Sequence, residues 1–197
     1  MKKTSNKKTP KNVRANPGSP ARLPLARWGG NPGSPARPPL ARWGGIAMDV
    51  DGVLTDGGVW WGPNGEEWKR FHFADIMGLS LAKKSGLAIA LISGEDSPLV
   101  DRMAAKFNLT DVFKNCRDKP AALRTFAERH ALKLDEICFI GDDINDLAAL
   151  EIAGLAACPA DARPSVRKRC QLVAKLAGGN GAVREIIDLL LASGAPS

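Results

Sequence analysis

The sequence predicts an α/β fold with a doubly wound parallel sheet. Continuous apolar runs such as LAIALIS (Leu87–Ser93) and ICFIG (Ile137–Gly141) are typical of strands that are covered on both faces. Helical patterns separate these runs, for example from Lys119 to about Ala131, where apolar residues recur along one stripe. Strands that alternate with helices form βαβ units, and such units build a parallel sheet.

The other elements follow in order along the chain. Residues 58–73 are predicted to form a β-hairpin, because Pro63-Asn64-Gly65 is a typical turn sequence. Asp75 is predicted to cap a helix that continues to about Ser85 and ends at Gly86. After the hairpin turn, Trp68, Arg70 and His72 alternate with Lys69, Phe71 and Phe73. The remaining predictions are helices at about 97–107, 145–153 and 181–193, and strands at 46–50, 111–113, 155–158 and 170–174.

Residues 1–45 are predicted to be a disordered basic tail, and residues 46–197 to form the folded domain. The tail contains ten Lys or Arg, no Asp or Glu, and eight of the 14 prolines. It also carries a 15-residue tandem repeat, in which Asn16–Gly30 and Asn31–Gly45 differ only at position 23 versus 38. Two repeats are too few for a solenoid. We interpret the repeat as a sequence duplication or an upstream start, in preference to a binding arm.

Charge and cysteine usage exclude several classes of function. The net charge of +7 comes from the tail, because 18 basic residues stand against 21 acidic ones after Gly45. The folded part is therefore not expected to bind nucleic acid. No apolar run is long enough to span a membrane. The scattered cysteines and two histidines predict no zinc site, and we expect reduced thiols in a cytoplasmic protein.

Carboxylates follow two of the predicted strands. Asp49 and Asp51 lie in MDVDGVLTDG at the end of the first strand, and Asp142 and Asp143 follow ICFI. Carboxyl ends of parallel strands meet at one edge of the sheet, so these groups are expected to lie close together. Two adjacent carboxylates repel by about 1–4 kcal/mol. Oxygen ligands of this kind select a hard divalent cation, and we expect Mg²⁺.

Groups that suit a phosphate stand at the same strand ends. The amides of Gly52 and Val53 can cradle phosphate oxygens, and the Ser93 hydroxyl and Gly94 amide can add donors. Lys119 would neutralise phosphate charge. Together with Mg²⁺, this set predicts covalent phosphoryl transfer through an aspartyl-phosphate.

The motifs DVDGVLT, ISG, Lys119 and GDDINDLAAL, in this order, resemble those of the haloacid dehalogenase superfamily of phosphatases, over residues 46 to about 193. DVDGVLTDGG, GEEWKRFHFAD and AGGNGAVREIIDLLL are similar to a narrower family. It contains 3-deoxy-D-manno-octulosonate 8-phosphate phosphatases and phosphatases of nine-carbon keto acids (KDN and N-acylneuraminate 9-phosphates). The resemblance implies a Rossmann-like fold with a hairpin flap as a minimal cap. It also implies a homotetramer in which neighbouring subunits close each site around a 2-keto-3-deoxy sugar acid phosphate.

Roles for the acids follow from the same resemblance. Asp49 would be the nucleophile and Asp51 the general acid and base. Asp49, Asp142 and the Asp51 carbonyl would hold Mg²⁺. Asp143 and Asp146 would bind the ion through water or orient its ligands.

The resemblance also places Asp75, Glu95, Lys106 and Arg184 at the substrate. Octulosonate phosphatases tend to carry Arg at the position of Glu95, so Glu95 with Lys106 favours a nine-carbon substrate. Lys106 can equally be an ordinary lysine on a helix surface. Arg184 could reach a neighbour's site and bind the substrate carboxylate, or form a surface ion pair.

The sequence leaves three alternative functions to consider. A response-regulator receiver also combines Asp, Ser or Thr, Lys and Mg²⁺, but its acceptor Asp ends the third strand. A phosphatase-like domain without catalysis could serve oligomerisation or regulation, although every catalytic position is filled here. A phosphatase of another small sugar phosphate is the remaining alternative.

Overall fold

The computed structural model describes residues 43–192. The predicted tail falls outside this range except for its last three residues, and these belong to the fold. Trp43 is 7% exposed and packs in the core, while Gly45 already lies in the first strand. The elements in chain order are β1 (Gly45–Met48), β2 (Trp60–Trp61), β3 (Glu67–Trp68), α1 (Phe73–Lys84), β4 (Ala88–Ile92), α2 (Pro98–Phe107), β5 (Asp111–Phe113), α3 (Lys119–Arg129), β6 (Ile137–Ile140), α4 (Leu147–Ile152), β7 (Leu155–Cys158), α5 (Pro164–Arg167), β8 (Leu172–Val173) and α6 (Ala182–Ala192).

The predicted doubly wound parallel sheet is confirmed. Six strands lie in the order β5-β4-β1-β6-β7-β8, and each adjacent pair is parallel. β1 is central, and its side chains alternate between the two layers of the core. Ile46 and Met48 pack with residues of α1, α2 and α6, whereas Ala47 packs with residues of α3 and α4. From β1 the chain adds β4 and β5 on one side of the sheet and β6, β7 and β8 on the other. Because the connections run in opposite directions on the two sides of β1, a crevice opens at the carboxyl ends of β1, β4 and β6.

The start of α1 differs from the prediction. The N-cap is His72, whose Nδ1 accepts a hydrogen bond from the Ala74 amide at 3.3 Å. Asp75 lies inside the first turn and is buried, so the prediction that it caps α1 is wrong. Its carboxylate instead accepts hydrogen bonds from the backbone amides of Gly181 at 3.0 Å and Arg184 at 2.9 Å. Asp75 therefore caps the beginning of α6, which packs against α1.

Two further differences lie in the C-terminal half. The helix expected at 145–153 begins as a 3-10 turn at Ile144–Asp146 and becomes α-helical only at Leu147. The four-residue helix α5 was not predicted from the sequence. Among the described residues, no helix is long and apolar enough to cross a membrane.

The predicted hairpin is present and forms a separate two-stranded sheet from β2 and β3. Gly65 in its turn has a φ of +86°, a conformation that few residues other than glycine adopt easily. A single bridge between Thr55 and Phe71 joins its base to the loop after β1. The described part of the chain contains no larger cap, which agrees with the expected minimal cap.

Candidate active site

The strand ends bring most of the predicted site residues together. Asp49 directly follows β1, and its amide donates to the Ile140 carbonyl at the end of β6 at 3.0 Å. Asp142 lies just beyond β6, and Ser93 follows β4 on the other side of β1. The first residue of α3 is Lys119, which reaches the same crevice from the segment after β5.

Lys119 is the main cation of the site. Its side chain is only 1% exposed, and Nζ lies 2.7 Å from both Asp49 Oδ2 and Asp146 Oδ1. Burial works to lower the pKa of Lys119, but the charges of both carboxylates outweigh burial and raise it. The lysine is therefore charged, and it holds the predicted nucleophile by a charge-assisted hydrogen bond.

Three carboxylates converge beside this lysine. Asp49, Asp142 and Asp146 each offer one oxygen, and these oxygens lie within 4.8 Å of one another. Burial, followed by the charge of Asp146, raises the pKa of Asp49 to about 6 despite Lys119. Burial, followed by the charge of Asp49, raises the pKa of Asp142 to about 7. Asp142 Oδ1 is buried and has no hydrogen-bond partner among the described residues.

These observations fit a divalent metal ion. One lysine cannot neutralise three converging carboxylates, and the unpaired Asp142 oxygen needs a positive partner. All the offered atoms are carboxylate oxygens, which Mg²⁺ prefers over softer ligands. The donor set thus agrees with the ion that the sequence predicts.

The two remaining acids of GDDIND have different surroundings. Asp146 is buried, and its Oδ2 accepts the amides of Asp142 at 2.9 Å and Asp143 at 3.2 Å. It therefore fixes the loop that carries Asp142. Asp143 turns outward, where its carboxylate meets Arg163 at 3.2 Å, and it is not one of the three converging acids.

The loop after Asp51 packs tightly against Asp142. A Cβ atom on Gly52 would lie 2.1 Å from Asp142 Oδ2, and Gly52 has a φ of +77°, so only glycine fits there. The two predicted phosphate amides have contacts within the loop. The Gly52 amide donates to Thr55 Oγ1 at 3.3 Å, and the Val53 amide to the Val50 carbonyl at 3.4 Å.

A glycine-rich segment from the other end of the chain covers this loop. A Cβ on Gly178 would lie 1.9 Å from the Gly52 carbonyl oxygen, and one on Gly179 would lie 2.3 Å from the Asp56 amide. The Gly179 amide donates to the Val53 carbonyl at 3.0 Å. AGGNG (Ala177–Gly181) thus fits against the loop after Asp51 because its glycines lack side chains.

The ISG motif at the end of β4 contributes the buried hydroxyl of Ser93 and the exposed Gly94. Ser93 Oγ accepts the Glu95 amide at 3.1 Å, and Ser93 is fully buried. Gly94 is exposed, and its Cβ position meets no atom within 4 Å. The backbone at Gly94 therefore has open space on the side where a side chain would stand.

Sequence reasoning missed the partner of Asp51. Lys69 Nζ lies 2.9 Å from Asp51 Oδ1 and 3.4 Å from Glu67 Oε1, and its side chain is only 5% exposed. Burial works to lower the pKa of Lys69, but its contacts with Asp51 and Glu67 raise it. The alternation of residues along the hairpin could have indicated this partner. Lys69 lies on the same face of the strand as Phe71, and Phe71 packs against the core.

Of the four predicted substrate residues, Asp75 and Arg184 are joined by a hydrogen bond from the Arg184 amide at 2.9 Å. Glu95 precedes α2 and Lys106 lies in its last turn, so roughly 12 Å of helix, from Pro98 to Lys106, lies between them. Arg184 Nε donates to both oxygens of Asp188 at 2.8 and 2.9 Å, as a surface pair on α6. Both oxygens of Asp75 accept α6 amides. The predicted contacts of these four residues with substrate stay predictions.

Comparison with known proteins identifies the class first. The model of the haloacid dehalogenase-like hydrolase family matches residues 69–186, which is more than half of the chain. The chain therefore belongs to the haloacid dehalogenase-like hydrolase family, as its fold and carboxylate site indicate.

Individual relatives show which members of this family the chain resembles. The chain is 38% identical over 146 residues to the 3-deoxy-D-manno-octulosonate 8-phosphate phosphatase of Escherichia coli K12, covering 74% of this chain and 78% of the relative. The Moraxella catarrhalis enzyme of the same name, solved with magnesium, phosphate and KDO, superposes with a TM-score of 0.76. The two are 34% identical, with 79% of this chain and 89% of the other covered. The cobalt-bound Haemophilus influenzae enzyme gives a TM-score of 0.75 at 32% identity, with coverages of 78% and 90%.

Proposed function

We propose that the chain is a magnesium-dependent phosphomonoesterase that hydrolyses 3-deoxy-D-manno-octulosonate 8-phosphate. The observation that carries this proposal is the Asp49–Lys119–Asp142–Asp146 cluster at the carboxyl ends of β1 and β6. The relatives named above share this chain's fold and bear the name of that activity. The nine-carbon alternative rests only on Glu95 and Lys106, and none of the relatives named above bears the name of such an activity.

The reaction follows from the proposed roles of Asp49 and Asp51. A carboxylate oxygen of Asp49 attacks phosphorus, and the bond from phosphorus to the sugar oxygen breaks. Asp51 donates its proton to the departing sugar oxygen, which leaves as an alcohol. Asp51 then takes a proton from water, and the resulting hydroxide attacks the aspartyl-phosphate. Inorganic phosphate is released and Asp49 is restored.

Charge compensation makes this attack feasible. Asp49, Asp142 and the Asp51 carbonyl would hold Mg²⁺, and the bound ion would supply positive charge that offsets the repulsion of the nucleophile and the phosphate dianion. Lys119 adds a fixed positive charge at 2.7 Å from Asp49. We propose that the phosphate contacts Lys119, Ser93 and the open backbone at Gly94, together with the amides of Gly52 and Val53. Asp143 and Asp146 complete the outer part of the ion site in this proposal.

An Asp49→Asn variant should release no phosphate from octulosonate 8-phosphate, because an amide cannot form the aspartyl-phosphate. Asp56→Asn is a matched control in the same loop. Asp56 is a turn residue that accepts the Gly58 amide and pairs with Arg70, away from the converging acids. The measurement is phosphate release with Mg²⁺ and with EDTA, beside KDN 9-phosphate and a simple hexose phosphate. Turnover by Asp49→Asn, or equal turnover with EDTA, would refute the mechanism, and preference for another substrate would refute the assignment to the eight-carbon acid.

We further propose a cytoplasmic homotetramer whose neighbouring subunits complete each site, with Glu95, Lys106 and Arg184 as candidate residues at the substrate. Support for assembly comes from the hairpin, where Trp60, Trp61 and Trp68 are exposed, Trp61 by 76%. Large exposed apolar patches mark contact surfaces. Support for a reducing compartment comes from the four free cysteines, three of them buried.

Replacing Trp61 with Lys should weaken this assembly, because a charge cannot be buried there without a partner. Sedimentation velocity should then show smaller species than the wild-type chain gives. Lys133→Glu, at an exposed site before β6, serves as a control for a change of surface charge. A wild-type monomer would contradict the proposed tetramer.

A further inference from the structure

Lys69 on the hairpin is placed unlike an ordinary surface lysine. Its side chain is 5% exposed, whereas that of the next residue, Arg70, is 48% exposed. Lysines on exposed hairpins usually keep the ammonium group in water. A lysine that gives up this hydration needs a specific partner, and Lys69 Nζ lies 2.9 Å from Asp51 Oδ1.

The ammonium group of Lys69 has a second partner, Glu67, which is itself bound to the body of the domain. Glu67 Oε1 lies 3.4 Å from Lys69 Nζ and accepts a hydrogen bond from Ser97 Oγ at 3.3 Å. Ser97 is buried at the beginning of α2, where its hydroxyl also caps the helix through the Leu99 amide. The position of Lys69 is therefore fixed against the body of the domain as well as by the hairpin.

This arrangement distinguishes the two oxygens of Asp51. Oδ1 contacts Lys69 and lies 3.4 Å from Thr55 Oγ1. Oδ2 is buried and has no hydrogen-bond partner among the described residues. With Oδ1 anchored, the side chain cannot rotate freely, and Oδ2 is left for a ligand.

We infer that Lys69 is a positioning residue that anchors Oδ1 of Asp51 and so presents Oδ2 to the oxygen of the leaving group. The inference rests on the proposed function, because it deepens the role of Asp51 there. Proton donation requires a short, aligned contact between the acid and the leaving oxygen. The benefit is large for a sugar alkoxide, which leaves poorly without a proton. It is small for p-nitrophenolate, which leaves as a stable anion.

The test compares Lys69→Met with Arg70→Met, a control that removes the adjacent cation of the same hairpin. The measured quantity is kcat/KM, which reports the steps up to formation of the aspartyl-phosphate. For Lys69→Met we expect a loss of about 10²-fold with octulosonate 8-phosphate, the lower end of general acid catalysis. The loss with p-nitrophenyl phosphate should stay below about threefold, and inhibition by inorganic phosphate should be unchanged. Across alkyl and aryl phosphates, the dependence of log kcat/KM on leaving-group pKa should become steeper.

Three results would overturn the inference. Equal losses with all substrates would show that Lys69 only supports the fold, and no loss would show that it has no part in the reaction. Weaker inhibition by phosphate would make it a phosphate-binding residue instead. If Lys69→Met does not fold, Lys69→Gln is measured in the same series. The leaving-group series also separates this inference from the proposed function, because simple phosphate esters test Lys69 even if octulosonate 8-phosphate is not hydrolysed.

Discussion

One lysine, two buried acids and the half-buried Asp142 make the site electrostatically incomplete. Lys119 is bound between Asp49 and Asp146, while Asp142 has a buried oxygen without a partner. Burial and mutual repulsion raise the pKa of Asp49 to about 6 and that of Asp142 to about 7. Without a cation, protons would have to compensate for this negative charge.

This imbalance predicts a pH-dependent effect of Mg²⁺ on stability. The raised pKa values mean that the metal-free folded state binds more protons than the unfolded chain between about pH 4 and pH 7. Metal-free stability should therefore fall as the pH rises through this window. Mg²⁺ competes with these protons, so it should raise the melting temperature more at pH 8 than at pH 5. Asp142→Asn should remove most of this difference in calorimetry, and an equal shift at both pH values would contradict it.

At the scale of elements, β5 and α3 are joined by a buried acid. Asp111, the first residue of β5, accepts from Arg129 at 3.0 Å and contacts His130 Nε2 at 2.7 Å at the end of α3. Burial works to raise the pKa of Asp111, but these two contacts lower it below its usual 3.8. The stabilisation is thus present above about pH 4 and is lost as the pH falls through the lowered pKa.

Asp111→Asn should lower the free energy of unfolding by about 1–3 kcal/mol, because buried charge-assisted hydrogen bonds are lost. kcat should not change, since Asp111 begins β5, at the edge of the sheet opposite the carboxylate cluster. Asp101→Asn is the control, because its ion pair with Lys114 is exposed and contributes about 0–1 kcal/mol. Urea unfolding measures both, and equal effects of the two substitutions would refute the special role of Asp111.

The elements differ in how far the sequence predicts them. Strands buried on both faces leave long apolar runs, and acids directly after β1 and β6 could be assigned to one edge of the sheet. Asp75 was misplaced, because a carboxylate near a helix start looks the same whether it caps that helix or a distant one. Lys69 was missed for a related reason: its contact with Asp51, and the contact of its partner Glu67 with Ser97, exist only once the hairpin folds back over the loop after β1.

At the scale of the molecule, the folded unit extends slightly into the repeat. Trp43 belongs to the core cluster, and the Gly44 amide donates to the Glu136 carbonyl at 2.9 Å. The final residues of the second repeat thus supply the beginning of the central strand. The repeat and the fold overlap there.

Removing residues 1–42 should leave kcat and the melting temperature unchanged, if the tail is disordered as its composition predicts. Trp43→Ala in the full chain should cost about 3–5 kcal/mol, because a large buried aromatic side chain is lost. Thermal and urea unfolding of the two proteins give the comparison. A truncation as damaging as Trp43→Ala would show that the tail takes part in folding.

The glycine-rich segment at 177–181 has a consequence for the order in which the enzyme is made. A chain emerging from the ribosome contains Asp49, Lys119 and Asp142 well before Gly178 and Gly179 are added. Until those two residues arrive, their close contacts with the Gly52–Asp56 backbone cannot form, and Asp75 has no α6 amides to bind. Incomplete translation products therefore carry all the proposed reactive groups, while the loop after Asp51 still lacks its contacts with Gly178 and Gly179. Such products should not hydrolyse phosphate esters during synthesis.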